Sequence, residues 1–364
     1  MKLKEITTYL EHIAPLAYQE SYDNAGLICG NESMEITAAL ICLDSTEVVL
    51  DEAISLGCNL IIAHHPIVFT GIKKFNGNNY VERVIIKAIK NDIAIYAAHT
   101  NLDNVWQGVN AKIAEKLQLK NYNLLSPQKN GLKKLVTYCP DASAEAVRNA
   151  LFMVGGGQIG EYEQCSFNTN GIGTFKPGKA ANPFVGEIGK LQQEKEIKIE
   201  LIYPAYLEHK MVNALLKAHP YEEVAYDLLS ITNENKWVGA GIVGELSEAI
   251  DELSFLKQLK STMKAESIRY TALRGKKVKK VAICGGAGSF LLKNAIKSEA
   301  DVFVTADFKY HQFFDADNQI VIADIGHYES EQFTIELFYE ILNKKFSTFA
   351  FHLTKINTNP IKYI

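Results

Sequence analysis

The sequence lacks the features that mark membrane, nucleic-acid-binding and secreted proteins. No apolar run approaches the roughly 18 residues that a transmembrane helix needs. The formal net charge is -4, so no excess of positive charge favours a nucleic acid or a membrane surface as partner. The six cysteines form no C-x-x-C pair, which is typical of reduced, mostly buried thiols. These absences predict a cytoplasmic globular protein, and 47% hydrophobic residues supply its core.

The beginning of the chain shows no sign of a signal peptide. Residues 1–20 alternate apolar side chains with Lys and Glu and contain no apolar core segment, a pattern that predicts an amphipathic helix. With 364 residues, the chain is long for one domain, and two or three domains are expected.

Both ends of the sequence alternate strands with helices. Strands are predicted at 38–43, 60–63 and 93–98, and again at 278–284, 301–305, 319–324 and 346–353. Helices are predicted at 45–56, 80–90, 110–117 and 290–297, and from Gly326 to about residue 344. This alternation predicts α/β folding with largely parallel sheets, whose strand ends line a crevice.

The middle of the chain has a different pattern. Two successive strand-helix-strand units, at 135–153 and 197–231, predict an inserted ferredoxin-like α+β domain. Polar stretches at 126–130 and 232–236 are expected to be exposed linkers. We therefore divide the chain into 1–129 and 234–364, which together form one split α/β core, and 130–233, the inserted domain.

Two adjacent histidines follow the apolar run at 60–63. Side chains of neighbouring residues in extended backbone point in different directions, and Pro66 keeps His65 away from helical geometry. His64 and His65 are thus poorly placed to clamp one ion together and well placed to serve two neighbouring ions. The alternative is a pair that caps backbone groups at a strand end.

Two other strand ends carry metal-ligand residue types, namely Asp103, His327 and Glu331. Together with the histidine pair they offer three imidazoles and two carboxylates, a set that suits Zn, Mn or Fe and can fill positions on two ions. Glu331 could bridge the ions through its two oxygens. Alternatively, His327 is a loop residue and Glu331 stabilises the beginning of its helix.

Several further polar residues near strand ends are weaker candidates. His99 could shuttle a proton or orient a substrate, or it could be a hydrogen-bonded structural residue. Asp23 and Asn24 could orient a metal ligand or form an Asx turn. The glycine turn at 285–289 could cradle a phosphate, but tight packing of a helix on a strand explains it better. The remaining candidates are Thr305, Asp307, Tyr310 and His311 near the crevice, and His219 as a structural residue of the insert.

Four segments of the chain resemble motifs of a known family. They are SYDNAGL at 21–27, AHHP at 63–66, HTNLD at 99–103 and GHYESE at 326–331. They resemble the NGG-interacting-factor-like dinuclear metal proteins, whose members are commonly called GTP cyclohydrolase 1 type 2 homologues. The resemblance covers the whole chain, because 219–227 is similar to the PII/CutA-like insert of the long bacterial members. The chain departs from the family pattern at Tyr22, where Trp is common, and at Ala306, where Gly is usual.

The resemblance implies a fold, a metal site and an assembly. The fold is a pair of interlinked α/β lobes with the inserted domain, and the assembly is a toroidal homohexamer. The implied ligands of two divalent ions, with Zn placed before Fe or Mn, are His64, His65, Asp103, His327 and Glu331.

Three functions are compatible with these features. The first is metal-assisted hydrolysis of GTP, in which the purine ring is opened, formate is released and His99 donates a proton. The second is a dinuclear phosphohydrolase that acts on a nucleotide or another phosphoester. The third is a non-enzymatic metal-binding adaptor, in which the ring binds a partner and the insert senses a ligand.

Overall fold

The computed structural model describes residues 1–364 and contains fifteen strands and eleven α-helices. The strands are β1 Gly26–Cys29, β2 Ala38–Cys42, β3 Leu60–Ala63, β4 Ala94–Ala97, β5 Lys120–Gln128, β6 Leu132–Pro140, β7 Phe167–Phe175, β8 Gln192–Pro204, β9 Tyr226–Ser230, β10 Asn235–Asp251, β11 Arg269–Tyr270, β12 Lys277–Ala287, β13 Val302–Ala306, β14 Val321–Asp324 and β15 Ala350–Leu353. The helices are α1 Leu3–Ile13, α2 Glu47–Ser55, α3 Tyr80–Lys90, α4 Thr100–Asp103, α5 Val109–Lys116, α6 Asp141–Met153, α7 Glu208–Ala218, α8 Glu252–Thr262, α9 Leu292–Lys297, α10 His327–Glu331 and α11 Thr334–Lys345. None of these helices combines the length and the apolar character needed to cross a bilayer.

The chain folds into two compact units. The larger unit comprises Met1–Ser126 and Val238–Ile364, and the smaller unit comprises Pro127–Trp237. The divisions fall within β5 and β10, so strand residues occupy part of each predicted linker, whereas residues 129–130 and 232–234 lie outside the strands and are exposed. β5 and β10 are neighbours in one sheet, so the chain leaves and re-enters the larger unit on adjacent strands. The polar residues of β5 and β10 favour loops, but hydrogen bonds to the neighbouring strands of the sheet outweigh this preference.

The first sheet of the larger unit has the strand order β1-β4-β3-β2-β15. β4, β3, β2 and β15 are parallel, and β1 pairs antiparallel with β4. Every residue of β2, β3 and β4 is buried, as expected for parallel strands covered on both faces. Ala63 lies opposite Ala97 in the register. The residues that follow β3 and β4 therefore emerge side by side.

The second sheet of the larger unit has the order β11-β14-β13-β12-β10-β5, in which β12, β13 and β14 are parallel. One hydrophobic core contains residues from both sheets, among them Ile62, Tyr96, Ile283 and Val304. The two lobes are also interlinked by the chain, because β15, near the C-terminus, pairs with β2 of the first lobe. The strand ends of both lobes can thus contribute to one site.

The smaller unit has the ferredoxin-like order β7-β8-β6-β9, with antiparallel pairing throughout. α6 and α7 cover one face of this sheet and bury Leu135, Val147, Ile199 and Leu215. β7 forms in spite of its asparagines and glycines, which are depleted in strands. Pairing with the long β8 holds it in the sheet.

Candidate metal centre

Six side chains of the larger unit converge where β3, β4 and β14 end. His64 and His65 follow β3 directly, and His99 follows β4 after Ala98. Asp103 is the last residue of the short helix α4. His327 and Glu331 are the first and last residues of α10, so they lie one turn apart on the same side of the helix. The structure brings together all five ligands implied by the resemblance, with His99 beside them.

Glu331 lies at the centre of this cluster. Its Oε2 atom is 2.9 Å from Nε2 of His65 and 3.1 Å from Nε2 of His327. Its Oε1 atom is 3.8 Å from Nε2 of His64, which in turn is 3.7 Å from Oδ1 of Asp103. Two groups of possible ligands share Glu331, His64–Asp103–Glu331 and His65–His327–Glu331, and in each the ligand atoms lie within 4.8 Å of one another. His64 and His65 belong to different ones of these two groups, and the two oxygens of Glu331 face one group each.

His99 joins a third group of this kind with His64 and His65. Its ring lies 5.3 Å from both of theirs, measured between ring centroids, and 5.7 Å from the ring of Phe69. His99 is thus close enough to act either on a ligand or on a molecule bound beside the cluster.

Each of the four imidazoles is oriented by a hydrogen bond at its Nδ1 atom. The acceptors are the backbone oxygen of Ala98 for His64 at 2.9 Å, Asp44 for His65 at 2.7 Å, Asp23 for His99 at 2.8 Å and Asp307 for His327 at 2.7 Å. A carbonyl or carboxylate oxygen can only accept, so Nδ1 carries the proton in each ring. The Nε2 atoms are then available for ligation, an arrangement common among metal-binding histidines.

Asp44 is a residue of the site that the sequence analysis missed. It lies just after β2, its Oδ1 orients His65, and its Oδ2 accepts a hydrogen bond of 2.5 Å from Thr358. Asp44 could have been found by its position, because it follows an apolar strand, as His64 and His65 do. Asp23, proposed from the sequence to orient a ligand, contacts His99 and Thr100, whereas the Asn24 side chain donates to the backbone of Val68.

Burial and mutual charge shift the titration of the cluster. Burial and the Glu331 charge raise the pKa of Asp103, whereas three imidazoles hold the pKa of Glu331 well below its usual value in spite of burial. Burial lowers the pKa of His65, but hydrogen bonds to Asp44 and Glu331 outweigh it and raise the pKa to about 9. For His327, burial is outweighed by the Glu331 charge and by Asp307, and its pKa rises to about 11. Without metal, protons on the imidazoles supply the positive charge that the carboxylates require.

The donor set fits divalent metal ions. Nε2 of His64 and Oδ1 of Asp103 are buried and have no hydrogen-bond partner, which is costly for polar atoms. Both point into the same group of three ligands. No Lys or Arg side chain lines the surrounding cavity to compensate the buried carboxylates. Cations bound between imidazole and carboxylate would satisfy the free atoms and balance the charge.

The cluster opens into a cavity of about 620 Å³. Tyr22, Phe69, Tyr80 and Phe290 give it aromatic walls, and Glu20 adds a further carboxylate. Tyr22 is 69% exposed and Phe290 is 65% exposed, so both rings are free to contact a bound molecule.

The glycines predicted to form a turn lie partly within β12, at its irregular C-terminal end, and make room for the cluster. Gly286 has φ of +63°, and a Cβ atom there would lie 2.4 Å from Oε1 of Glu331. The glycine therefore makes room for the central carboxylate. Gly288 would likewise collide with Oγ1 of Thr305 at 2.3 Å, in keeping with the tight packing expected from the sequence.

The other candidates divide into one residue of the site and several outside it. Asp307 orients His327, whereas Thr305 donates to the backbone oxygen of Gly286. Tyr310 and His311 do not line the cavity. His219 belongs to the smaller unit, where its Nε2 donates to the backbone oxygen of Tyr138.

Fold and site together define a class of protein: a split α/β body that carries, at its strand ends, a cluster of histidines and carboxylates able to hold metal. The chain belongs to the Duf34/NIF3 (NGG1p interacting factor 3) family, whose sequence model matches residues 1–360.

Relatives of similar length support this assignment. A Bacillus subtilis protein named GTP cyclohydrolase 1 type 2 homolog is 38% identical over 367 residues, which cover 99% of this chain and 98% of the relative. A Staphylococcus aureus protein of the same name is 36% identical, with 100% of both chains covered. Among solved structures, a Bacillus cereus protein related to NIF3 matches with a TM-score of 0.85 and 37% identity, over 100% of this chain and 99% of that one.

Proposed function

We propose that this protein is a metal-dependent hydrolase that holds two divalent ions between its α/β lobes. The observation that carries the proposal is the position of Glu331, whose two oxygens face two separate groups of ligands. His64, Asp103 and Glu331 would hold one ion, and His65, His327 and Glu331 would hold the other. Zn is our first choice and Fe or Mn are the alternatives, because imidazole and carboxylate donors suit all three.

A pair of bound divalent ions would lower the pKa of a water molecule and stabilise negative charge that develops on the substrate. The residues around the ions have separate tasks. Asp44 and Asp307 hold His65 and His327 in the orientation required for ligation. Ser330 accepts a hydrogen bond of 2.9 Å from the backbone of Gly286 and so fixes α10 against the end of β12.

His99 is our candidate for proton transfer. Its Nδ1 atom is held by Asp23, whose pKa is about 2 because hydrogen bonds from His99 and Thr100 outweigh the effect of burial. Asp23 therefore stays ionised near neutral pH and keeps the Nδ1 proton of His99 in place. The Nε2 atom of His99 is then left to exchange a proton with a molecule in the cavity.

We further propose that the reaction is hydrolytic opening of the GTP purine ring with release of formate. Two curated relatives carry the name GTP cyclohydrolase 1 type 2 homolog, and the aromatic walls of the cavity suit a flat base. The cavity wall contains no Lys or Arg to bind phosphate oxygens. This absence favours recognition of the base and counts against the phosphohydrolase alternative.

The test measures metal and product in the same preparations. Elemental analysis is expected to give two equivalents of metal per chain for the wild-type protein. His65→Ala is expected to contain about one equivalent. Glu331→Ala is expected to lose both, because it faces both groups. His311→Ala is a matched control, since it removes an imidazole that does not line the cavity. Equal metal content in all four proteins would refute the site.

Product analysis separates the candidate functions. Formate released from GTP by metal-loaded protein supports ring opening, and inorganic phosphate without formate supports the phosphohydrolase. Neither product, with two equivalents of metal bound, supports the metal-binding adaptor.

A cytoplasmic toroidal homohexamer is part of this proposal. The large unit exposes several aromatic side chains outside the cavity, including Tyr310 at 72% and Phe314 at 67%, as subunit interfaces require. Native mass spectrometry is expected to give six times the chain mass of 40.5 kDa. A monomer at micromolar concentration would contradict it.

A further inference from the structure

We propose that the smaller unit contains a binding site for a small organic cation, formed between the open face of its sheet and the segment 176–191. A cavity of about 690 Å³ lies wholly within this unit. Its volume is in the range of small-molecule sites. The proposal is independent of the metal centre and of the reaction catalysed there.

Three aromatic rings enclose one side of the cavity. The ring of Tyr221 lies 6.1 Å from that of Phe175 and 6.1 Å from that of Phe184, with interplanar angles of 55° and 48°. All three rings line the cavity. Phe184 is 63% exposed, so packing within the unit does not account for its position. Aromatic faces attract cations through the ring quadrupole, most strongly when several rings share one cation.

A carboxylate lies within this aromatic enclosure. Oε1 of Glu196 accepts a hydrogen bond of 2.8 Å from the Tyr221 hydroxyl, and no donor approaches its Oε2. Burial and the Glu196 charge raise the pKa of Tyr221, so the hydroxyl keeps the proton that it donates. His219 fixes the backbone at this point, because its Nδ1 accepts a hydrogen bond of 3.1 Å from the Tyr221 amide.

A glycine on the neighbouring strand makes room for this carboxylate. A Cβ atom on Gly173 would lie 2.1 Å from Oε2 of Glu196, so any other residue would displace the carboxylate from the cavity. Glu196 is therefore held at a defined place, with one oxygen bonded to Tyr221 and the other available to a ligand.

None of the other charged side chains that line the cavity forms an ion pair with Glu196. Lys198 also lines the cavity, but its ammonium group is 3.1 Å from Glu200 and is paired there. Glu222 accepts a hydrogen bond of 2.8 Å from the Asn182 amide and fastens the covering segment. Lys176 and Glu223 complete the charged lining, and both are exposed.

These features define the class of ligand. A carboxylate beside several aromatic faces selects a positively charged group that is weakly hydrated, such as a substituted ammonium. A metal ion would find only one carboxylate among the rings, which is too few ligands. The size of the cavity leaves room for an apolar body attached to the charged group.

Calorimetric titration of full-length protein with benzyltrimethylammonium chloride tests the proposal, with benzyl alcohol as an uncharged aromatic comparison. We expect the cation to bind and benzyl alcohol to bind at least on the order of tenfold more weakly. Glu196→Gln keeps an oxygen for Tyr221 but removes the charge, and Phe184→Ala removes an exposed ring. Each is expected to weaken binding of the cation by on the order of tenfold.

Glu145→Gln is the matched control, because it removes an exposed carboxylate of α6, which covers the opposite face of the sheet and does not line the cavity. Gly173→Ala offers a further variant, which should weaken binding by displacing the Glu196 carboxylate. Circular dichroism and unchanged metal content establish that each variant is folded. The proposal is overturned if wild-type protein does not bind the cation at 10 mM, a concentration on the order of a weak ligand's Kd. It is equally overturned if folded Glu196→Gln binds like wild type, or if benzyl alcohol binds as tightly as the cation.

Discussion

At the scale of single residues, the most consistent feature of the metal centre is the acceptor at each Nδ1 atom. Three of the four acceptors are carboxylates, those of Asp23, Asp44 and Asp307. A carboxylate at Nδ1 makes the opposite nitrogen more basic and restricts rotation of the ring. If the proposed ions bind, Asp23, Asp44 and Asp307 would therefore contribute to metal affinity without contacting a metal ion.

Asp44→Asn tests this contribution. The amide can still accept a hydrogen bond from His65 but has no charge, so metal affinity at the His65 group is expected to fall by about 10- to 100-fold. Competition with a chromophoric chelator measures the affinity. Asp92→Asn, in an exposed turn after α3, is the control and should change nothing. If Asp44→Asn keeps wild-type affinity, the carboxylate does not support the ligand.

The sequence identified the central ligands because they share one property that can be read from the chain. His64, Asp103 and Glu331 each lie near the end of an apolar strand or in the short helix that follows it. Asp44 has the same position, but a single aspartate after a strand has many structural uses, and the sequence does not show that His65 lies 2.7 Å away. A hydrogen bond between residues that are distant in the sequence can be recognised only from the folded structure.

At the scale of secondary structure, the turn at the end of β12 shows how backbone conformation shapes the site. Gly286 combines a left-handed φ with a position too close to Glu331 for any side chain. Gly275 has a similar φ of +73°, but no atom lies within 4 Å of the position of its Cβ. Substitution of either glycine costs free energy because of the backbone conformation, but only substitution of Gly286 also displaces Glu331. Comparing the two substitutions therefore distinguishes these effects.

Gly286→Ala and Gly275→Ala are expected to differ in metal content. Both should lose about 1–2 kcal/mol of unfolding free energy, because alanine is strained in the left-handed region. Only Gly286→Ala should also lose metal, since its methyl group displaces Glu331. Denaturant unfolding and elemental analysis of the two proteins measure these effects. Equal metal content in both variants would show that Glu331 tolerates the shift.

The elements that the sequence predicted are those with a strong local pattern. β3 is a buried apolar run, and α3 has its amphipathic periodicity and the Asn79 cap. The strands that were missed, β1, β5, β10 and β11, are short or contain polar and glycine residues, and they depend on pairing with distant strands. The helix α8 was not predicted either. The first helix ends at Ile13, earlier than expected, because Pro15 cannot continue it.

At the scale of the whole molecule, the charge of the cavity beside the histidine and carboxylate cluster bears on the proposed substrate. Glu20, Asp44, Asp103 and Glu331 line it, with no Lys or Arg. A triphosphate would be repelled by these carboxylates wherever a bound cation does not compensate them. Under the proposed function, the protein gains specificity from the base and little from the phosphates.

Guanosine should therefore react about as well as GTP. We expect kcat/KM values within about tenfold of each other, equivalent to about 1.4 kcal/mol in transition-state binding. Formate release at equal metal loading measures both reactions, and Phe290→Ala should reduce both to the same extent by removing an aromatic wall. Guanosine turnover more than a hundredfold slower would show that the phosphates are recognised.

The two halves of the metal centre also differ in when they are made. His65 and Glu331 are 266 positions apart in the chain, so the ribosome releases the first on the order of tens of seconds before the second. Glu331 takes part in both groups of ligands, and β15, which closes the first sheet, is made later still. A chain that has not yet reached Glu331 can bring together His64, His65 and His99 but cannot form either group that contains Glu331. Under the proposed function, loading of both ions therefore waits until the C-terminal part of the chain has been made, so a filled two-ion site would mark a chain whose synthesis has passed Glu331.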